Sequence, residues 1–161
     1  MQWQPTPTTT GAAREWLVDS DSLTRKLVSH SAGQFRVQRV AEGRRFTAPG
    51  CSQQGRKFAA GSADPGFGLY WQREVILLGK GQPWVHALTL VPCRHQALTR
   101  RLRLLKNRPL GNFLFQQPQL QRLSMDFAAP EHGHARRSWF RLADQEMILI
   151  ELFRHDFLDS L

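Results

Sequence analysis

Residues 69–92 read LYWQREVILL, then GKGQP, then WVHALTLVP. The outer segments are rich in β-branched and aromatic residues and the turn between them contains glycine, which is the pattern of a β-hairpin. Gly79 and Gly81 are expected to supply the positive φ angles that such turns need. The sequence therefore predicts two central antiparallel strands, around which the rest of the chain is arranged.

One face of the first strand combines apolar residues with a single arginine. Because side chains alternate along a strand, this face carries Leu69, Trp71, Arg73, Val75 and Leu77. Four of the five are apolar, so the face is expected to look into the core. Arg73 then needs an anionic partner or ligand, because an unpaired buried charge is strongly destabilising.

Length and composition indicate one domain, spanning residues 1–161. Of the 161 residues 41% are hydrophobic, including ten Phe and five Trp, which is enough for a core. No apolar run approaches the length of about 18 residues that a membrane span needs. Residues 1–10 have neither a basic start nor an apolar segment, so we expect no secretory signal, a cytoplasmic protein and a frayed tail over residues 1–11.

The net charge is compatible with several classes of partner, and the cysteine and histidine residues do not indicate a metal site. The net charge of +9 is compatible with nucleic acid, acidic lipid or a small anionic ligand. Cys51 and Cys93 lie far apart without metal-ligand spacing, so free thiols are expected. His132 and His134 lie in a glycine-containing turn without a third ligand, which favours solvated side chains over a metal site.

Helices are predicted on both sides of the hairpin. Residues 12–18 and 22–29 are expected to form two packed helices, with a cap within residues 19–22. Residues 94–106 have helical composition. A short helix follows, with Asn107 or Arg108 as its cap and Pro109 at its first position.

The remaining patterns predict further strands. Residues 34–40 alternate between apolar and polar, residues 119–127 form another candidate strand, and residues 137–142 and 147–153 flank a turn as a second hairpin. Residues 44–68 show little periodicity and are expected to form a long loop. Together these patterns predict an α+β fold with one antiparallel sheet and inserted helices. Two similar halves, each with helices before a hairpin, are a further hypothesis.

A second charged residue lies in the last apolar strand. Glu151 shares a face with Met147, Leu149 and Phe153, so its carboxylate is expected to point into the core. A buried carboxylate either has a raised pKa or takes a cationic partner. Arg73 is the matching cation on an apolar strand face. The two residues therefore form either a structural ion pair or a polar site within an apolar pocket.

Two helix starts offer further contacts for an anion. The first N–H groups of a helix lack an internal partner and favour negative charge. Pro109 has no N–H, so Leu110 provides the first free donor of its helix. The helix that starts near Ser22 offers a similar donor at Leu23.

Five segments, in this order and at these separations, resemble bacterial chorismate pyruvate-lyase. They are YWQREV at 70–75, GQPW at 81–84, RPLGNFLF at 108–115, RRS at 136–138 and IELF at 150–153. Each segment alone is modest evidence for the resemblance, but the five segments in this order are specific to the family. The resemblance extends from about residue 16 to residue 153 and is weakest over residues 40–68.

The resemblance implies a monomeric, cofactor-free lyase with a six-stranded antiparallel sheet and two helix-turn-helix flaps over a buried site. Such an enzyme converts chorismate into 4-hydroxybenzoate and pyruvate, the first step of ubiquinone biosynthesis. Carried over by motif, the family's active-site arginine and glutamate fall on Arg73 and Glu151. Its two backbone contacts fall on Leu23 and Leu110. Leu23 stands where the family often has Met before Thr, a change of little consequence for a backbone contact.

One position departs from the family's pattern. Leu88 stands where many relatives carry Arg before Thr or Ser. If that arginine holds the substrate's second carboxylate or the leaving pyruvate, affinity or product release differs in this chain. His86 is a candidate for partial compensation, although a single histidine in a strand is more often simply packed or exposed.

Two other classes of protein fit parts of the sequence. A nucleic-acid-binding protein is suggested by a basic cluster comprising Arg100, Arg101, Arg103, Lys106 and Arg108. No nucleic-acid-binding motif accompanies the cluster, which favours a solvated helix face that attracts an anionic substrate. A non-catalytic domain that binds a small aromatic acid is the other alternative, since effector domains of some bacterial regulators share this fold.

Overall fold

The computed structural model describes residues 1–48 and 68–161. Within these residues the chain forms six strands and five short helices. The helices are α1 (Gly11–Val18), α2 (Leu23–His30), α3 (Gln96–Arg103), α4 (Leu110–Leu114) and α5 (His155–Leu158). The strands are β1 (Phe35–Thr47), β2 (Gly68–Gly79), β3 (Gln82–Pro92), β4 (Leu120–Ala128), β5 (Gly133–Leu142) and β6 (Gln145–Arg154).

The described strands form one antiparallel sheet in the order β1-β2-β3-β6-β5-β4. Each half of the chain contains a helix pair followed by three consecutive strands, and the two halves join where β3 pairs with β6. The predicted α+β class, the single antiparallel sheet and its six strands are confirmed. The hypothesis of two similar halves agrees with this order of elements.

The helices cover one face of the sheet. Their buried residues, such as Leu17, Leu27, Leu102 and Leu114, belong to one apolar cluster that also contains sheet residues such as Trp71. We name two units on this face. The first flap is α1, α2 and their linker, residues 19–22; the second flap is α3, α4 and their linker, residues 104–109.

The central hairpin turns at Lys80 and Gly81, whose φ angles are 51° and 78°. Positive φ at both central residues suits the right-handed twist of the two strands. The prediction was correct for Gly81 and wrong for Gly79, which is a strand residue. Gly79 has a different constraint, since an added Cβ would lie 2.1 Å from the ring of Trp84.

The predicted inward face of β2 is buried over most of its length. Trp71, Arg73, Val75 and Leu77 are all buried, whereas Leu69, at the strand's outer end, is 37% exposed. The hairpin thus places the Arg73 side chain under the helices, as its alternation with apolar residues predicts.

Two segments differ from their sequence predictions. The tail expected over residues 1–11 is held in part, because Trp3 is buried and the Gln4 and Phe127 backbones exchange hydrogen bonds of 2.7 and 2.8 Å. The expected loop over residues 44–68 is wrong for residues 44–47, which extend β1 by pairing with β2, and for Gly68, which is the first residue of β2. The rest of that loop, from residue 49 to residue 67 and including Cys51, lies outside the described residues.

The helix boundaries shift by a few residues. The helix predicted over residues 94–106 spans Gln96–Arg103, and Pro109 is the N-cap of α4 rather than its first residue. Leu110 is consequently the first residue of α4. Ser22 caps α2 as predicted, and its hydroxyl accepts a hydrogen bond of 3.4 Å from the Arg25 N–H. Leu23 is therefore the first residue of α2.

Candidate active site

A small cavity lies between the sheet and the two flaps. Only about 30 Å³ of the cavity is available to the centres of water molecules. This volume has room for about two waters. Its lining includes all four residues that the sequence singled out: Leu23, Arg73, Leu110 and Glu151. Apolar side chains such as Val75, Phe140 and Leu149 form much of the remaining wall.

Arg73 reaches from β2 to the second flap. Its side chain is 1% exposed, and one terminal nitrogen donates to the carbonyls of Lys106 and Arg108, both at 2.9 Å. Its Nε is buried and has no hydrogen-bond partner among the described residues. Burial lowers the pKa of Arg73, and the carboxylate of Glu42 partly offsets this effect.

Glu151 pairs with Arg136, and the predicted pairing with Arg73 is wrong. The Arg136 Nε lies 2.5 Å from a carboxylate oxygen of Glu151, and both residues are buried, at 2% and 5% exposure. The two residues are direct cross-strand partners in the β5–β6 hairpin, so their side chains leave the sheet on the same face. Arg73 and Glu151 do share the cavity, which was the other predicted outcome.

Arg136 also holds the first flap. Its terminal nitrogen NH1 donates to the carbonyl of Asp19 at 2.7 Å and lies 3.3 Å from that of Leu17. These carbonyls belong to the end of α1 and the start of its linker, where helical acceptors are left without internal partners. Arg136 therefore orients the carboxylate of Glu151 and ties it to the flap above.

The Arg136–Glu151 pair could have been found from the sequence. The turn of the second hairpin consists of Ala143 and Asp144, with Leu142 opposite Gln145. Counting outward from a two-residue turn fixes the register and places residue 136 opposite residue 151. The sequence pattern predicts a four-residue turn at residues 143–146 instead, which does not give this register.

Arg122, on β4, is a cavity residue that sequence reasoning missed. Its NH1 donates to the carbonyl of Ser20 in the first flap at 3.0 Å, and its guanidinium lies 4.8 Å from the centroid of the Phe140 ring. Its Nε is buried without a partner in the described part of the chain. Burial lowers the pKa of Arg122, as does the positive charge of Arg136, while the carboxylate of Glu151 acts in the opposite direction.

The departure at Leu88 does not affect the cavity wall. Ala87 and Thr89 line the cavity, whereas Leu88 packs with Tyr70 and Leu90 on the opposite face. His86 shares the face of Leu88 by alternation along β3. Neither residue is among the described residues of the cavity lining; since both lie on the same face of β3, the substitution of His86 for an arginine at position 88 stays a prediction.

The first residues of α2 and α4 meet at the cavity. Leu23 and Leu110 both line it, and their N–H groups belong to first helical turns, which lack internal acceptors. Gly111 allows the two flaps to approach closely: an added Cβ there would lie 2.6 Å from the Thr24 hydroxyl and 3.2 Å from the Thr24 Cβ. Contact at Gly111 therefore sets the spacing of these two helix starts.

Gly111→Ala is expected to separate the flaps and to lower stability by about 1–3 kcal/mol, as overpacking does. Ligand affinity should fall as well, because the N–H groups of Leu23 and Leu110 move apart. Thermal unfolding and binding of the ligand proposed below measure the two effects. Thr24→Ala, which removes the closest contacting atom, should restore part of both losses in the double variant. Additive losses in that double variant would contradict the close-contact explanation.

The charges on the cavity wall favour a small dianion. Three guanidinium groups and one carboxylate line the cavity: Arg73, Arg122, Arg136 and Glu151. This arrangement leaves an excess of two positive charges in a small, largely apolar site, where electrostatic attraction is stronger than in bulk water. No group of three or more potential metal ligands occurs among the described residues. No helix within residues 1–48 and 68–161 has the length and apolar character needed to cross a membrane.

A small, largely apolar cavity with excess positive charge defines a site for a small anionic molecule. The family model described as chorismate lyase matches residues 1–158 of this chain. The probable chorismate pyruvate-lyase of Marinobacter nauticus is 39% identical over 142 residues, which are 83% of this chain and 71% of that protein. The chorismate pyruvate-lyase of Erwinia tasmaniensis is 35% identical over 159 residues, covering 95% and 85% of the two chains. The chain belongs to the chorismate lyase family.

Proposed function

We propose that this protein is a lyase that removes pyruvate from chorismate to give 4-hydroxybenzoate, the first step of ubiquinone biosynthesis. The observation that carries the proposal is the cavity itself. It brings Arg73, Glu151 and the helix starts at Leu23 and Leu110 together behind two flaps. Family membership points to the same substrate.

The chemistry suits a site without a cofactor. The bond between ring carbon 3 and the enolpyruvyl oxygen breaks, and its electron pair leaves with that oxygen as the enolate of pyruvate. Ring carbon 4 loses its proton, which makes the ring aromatic, and the enolate takes up a proton at its methylene carbon. Since aromatisation makes the reaction downhill, the enzyme's task is to orient the substrate, place charge and exclude water.

Arg73 binds the ring carboxylate in this proposal. Its partnerless Nε can donate to a carboxylate while its terminal nitrogen stays on the second flap. The N–H groups of Leu23 and Leu110 complete the anion site, since each lies in the first turn of its helix. This assignment gives the buried charge of Arg73 a directly bound anion in addition to the nearby carboxylate of Glu42.

Glu151 lies at the other end of the ring. Its carboxylate accepts a hydrogen bond from the 4-hydroxyl group and is placed to take the proton from carbon 4. Arg136 fixes its orientation through the 2.5 Å ion pair. A base held in one orientation is the kind of preorganisation that favours an elimination step.

Entry of substrate requires the flaps to open. The space of about 30 Å³ is too small for a ring with two carboxylates. Each flap is held by cavity arginines through backbone carbonyls: the second flap by Arg73, and the first by Arg122 and Arg136. Opening therefore breaks these hydrogen bonds at the linkers and separates the contact between the flaps at Gly111 and Thr24.

We also propose that the protein acts as a cytoplasmic monomer without nucleic acid or a membrane as partner. The net charge of +9 attracts the dianionic substrate over long range and raises its association rate. If nucleic acid were the partner, the protein would stay bound to heparin in about 0.5 M salt, well above the range in which weak electrostatic contacts are screened, and would show no lyase activity.

Turnover of chorismate by the purified protein tests the proposal. The reaction contains no added cofactor, 4-hydroxybenzoate is followed by its absorbance, and pyruvate is measured separately with lactate dehydrogenase. We expect the two products in equal amounts. Tight binding of 4-hydroxybenzoate without any pyruvate would instead identify a non-catalytic binding domain.

Treatment with EDTA is expected to leave the activity unchanged. The elimination needs no Lewis acid, and the described residues contain no metal-ligand cluster. The measurement compares initial rates before and after chelation and dialysis. A loss of activity that a divalent ion restores would contradict metal-independent catalysis.

A further inference from the structure

Arg122 and Arg73 both line the cavity and make similar contacts there. Each comes from the sheet, each donates from a terminal nitrogen to a flap carbonyl, and each has a buried Nε without a partner among the described residues. Arg136 differs, because its Nε already binds Glu151. Two guanidinium groups are therefore each left with an N–H that a ligand can use.

The two groups lie in different electrostatic surroundings. Glu42 and Arg39 are the charged residues that act on Arg73. The charges that act on Arg122 include those of Arg136 and Glu151. Arg122 thus belongs to the Glu151 end of the cavity.

Chorismate has two carboxylates, and 4-hydroxybenzoate keeps only the one on the ring. The enolpyruvyl group leaves from the ring carbon next to the one that carries the hydroxyl, which is the Glu151 end in the proposed binding mode. We propose that Arg122 binds the carboxylate of the enolpyruvyl group, an assignment that rests on the proposed lyase function. Two carboxylates then match the excess of two positive charges on the cavity wall.

This contact also helps the departing group. When the bond between carbon 3 and oxygen breaks, negative charge develops on the enolpyruvyl oxygen, close to its own carboxylate. A guanidinium in a water-excluded site stabilises that charge without reorganising. Position 88 supplies no group to the cavity, because Leu88 packs on the opposite face of β3. The guanidinium of Arg122, on β4, is the group that stabilises the developing charge in this proposal.

Arg122→Gln is expected to weaken binding of the substrate without weakening binding of the product. The KM for chorismate should rise about tenfold to a hundredfold, the range expected for losing a hydrogen bond to a charged group. The Kd for 4-hydroxybenzoate should stay unchanged, because the product lacks the second carboxylate. Arg122→Lys, which keeps the charge, should recover part of the loss in KM. Arg25→Gln serves as the control, since it removes one positive charge from α2 at a residue outside the cavity lining.

The comparison separates ligand binding from flap support. If Arg122→Gln weakens both ligands equally, Arg122 acts by holding Ser20 and the assignment is wrong. An unchanged KM for chorismate, with the parent protein active, also overturns it. If the glutamine variant does not fold, Arg122→Lys provides the same test: a raised KM with unchanged product binding supports the assignment, and equal effects overturn it. A parent protein that makes no 4-hydroxybenzoate overturns the proposed function, and this assignment with it.

Discussion

Replacing Arg73 with alanine is expected to weaken binding of 4-hydroxybenzoate by about 2–5 kcal/mol, which corresponds to a Kd roughly thirtyfold to several thousandfold higher. The loss combines a charge-assisted contact with the carboxylate and the support that Arg73 gives to the second flap. Calorimetric titration of parent and variant measures it. Chorismate should be affected as strongly, because both molecules carry the ring carboxylate.

Arg25→Ala is the matched control for this experiment. Arg25 lies on α2 and is not part of the cavity lining within the described residues, so it reports the effect of losing one positive charge near the site. Its Kd for 4-hydroxybenzoate should remain close to that of the parent. If Arg73→Ala binds the product as tightly as the parent does, Arg73 is not the carboxylate site.

Glu151→Gln is expected to reduce turnover by a factor of ten or more, because an amide cannot take up a proton as a carboxylate does. Stability should change little, since the glutamine oxygen can still accept from the Arg136 Nε and the Asp19 carbonyl still accepts from NH1. Melting temperature and single-turnover rate are measured on the same preparation. Glu151→Ala, which also removes the acceptor, should lower stability further.

The Glu151 experiment separates a catalytic role from a structural one. Breaking a buried ion pair by removing one partner costs about 3–5 kcal/mol. If the melting temperature of Glu151→Gln falls by an amount that corresponds to this loss of free energy, and the folded fraction keeps the parent's rate, Glu151 is only half of a structural pair with Arg136. A slow variant of near-parent stability supports its place in the reaction.

The sequence predicted much of the fold because its strongest patterns are local. Alternation of apolar residues and a glycine-containing turn defined the β2–β3 hairpin, and a buried apolar run defined β6. The extension of β1 through residues 44–47 was missed because an edge strand with polar side chains shows weak periodicity. Trp3 was missed because it packs against residues that are far away along the chain. The guanidinium of Arg137, for example, lies 4.4 Å from the centroid of the Trp3 ring.

Site prediction depended on information of a different kind. Arg73 and Glu151 were found because a charge on an apolar strand face is conspicuous in the sequence. Arg122 was not, since its neighbours on β4 are only partly buried and give no clear apolar face. Its Nε becomes informative only when the first flap and the sheet are placed together, which is a tertiary property that local patterns do not contain.

In the proposed function, chorismate reacts in the cavity between the sheet and the two flaps. A crystal structure of the protein with bound 4-hydroxybenzoate tests it most directly. We predict the ring carboxylate on Arg73 and the N–H groups of Leu23 and Leu110, with the phenolic oxygen next to Glu151. Product bound outside this cavity, or with its carboxylate at Glu151's end, would contradict the account.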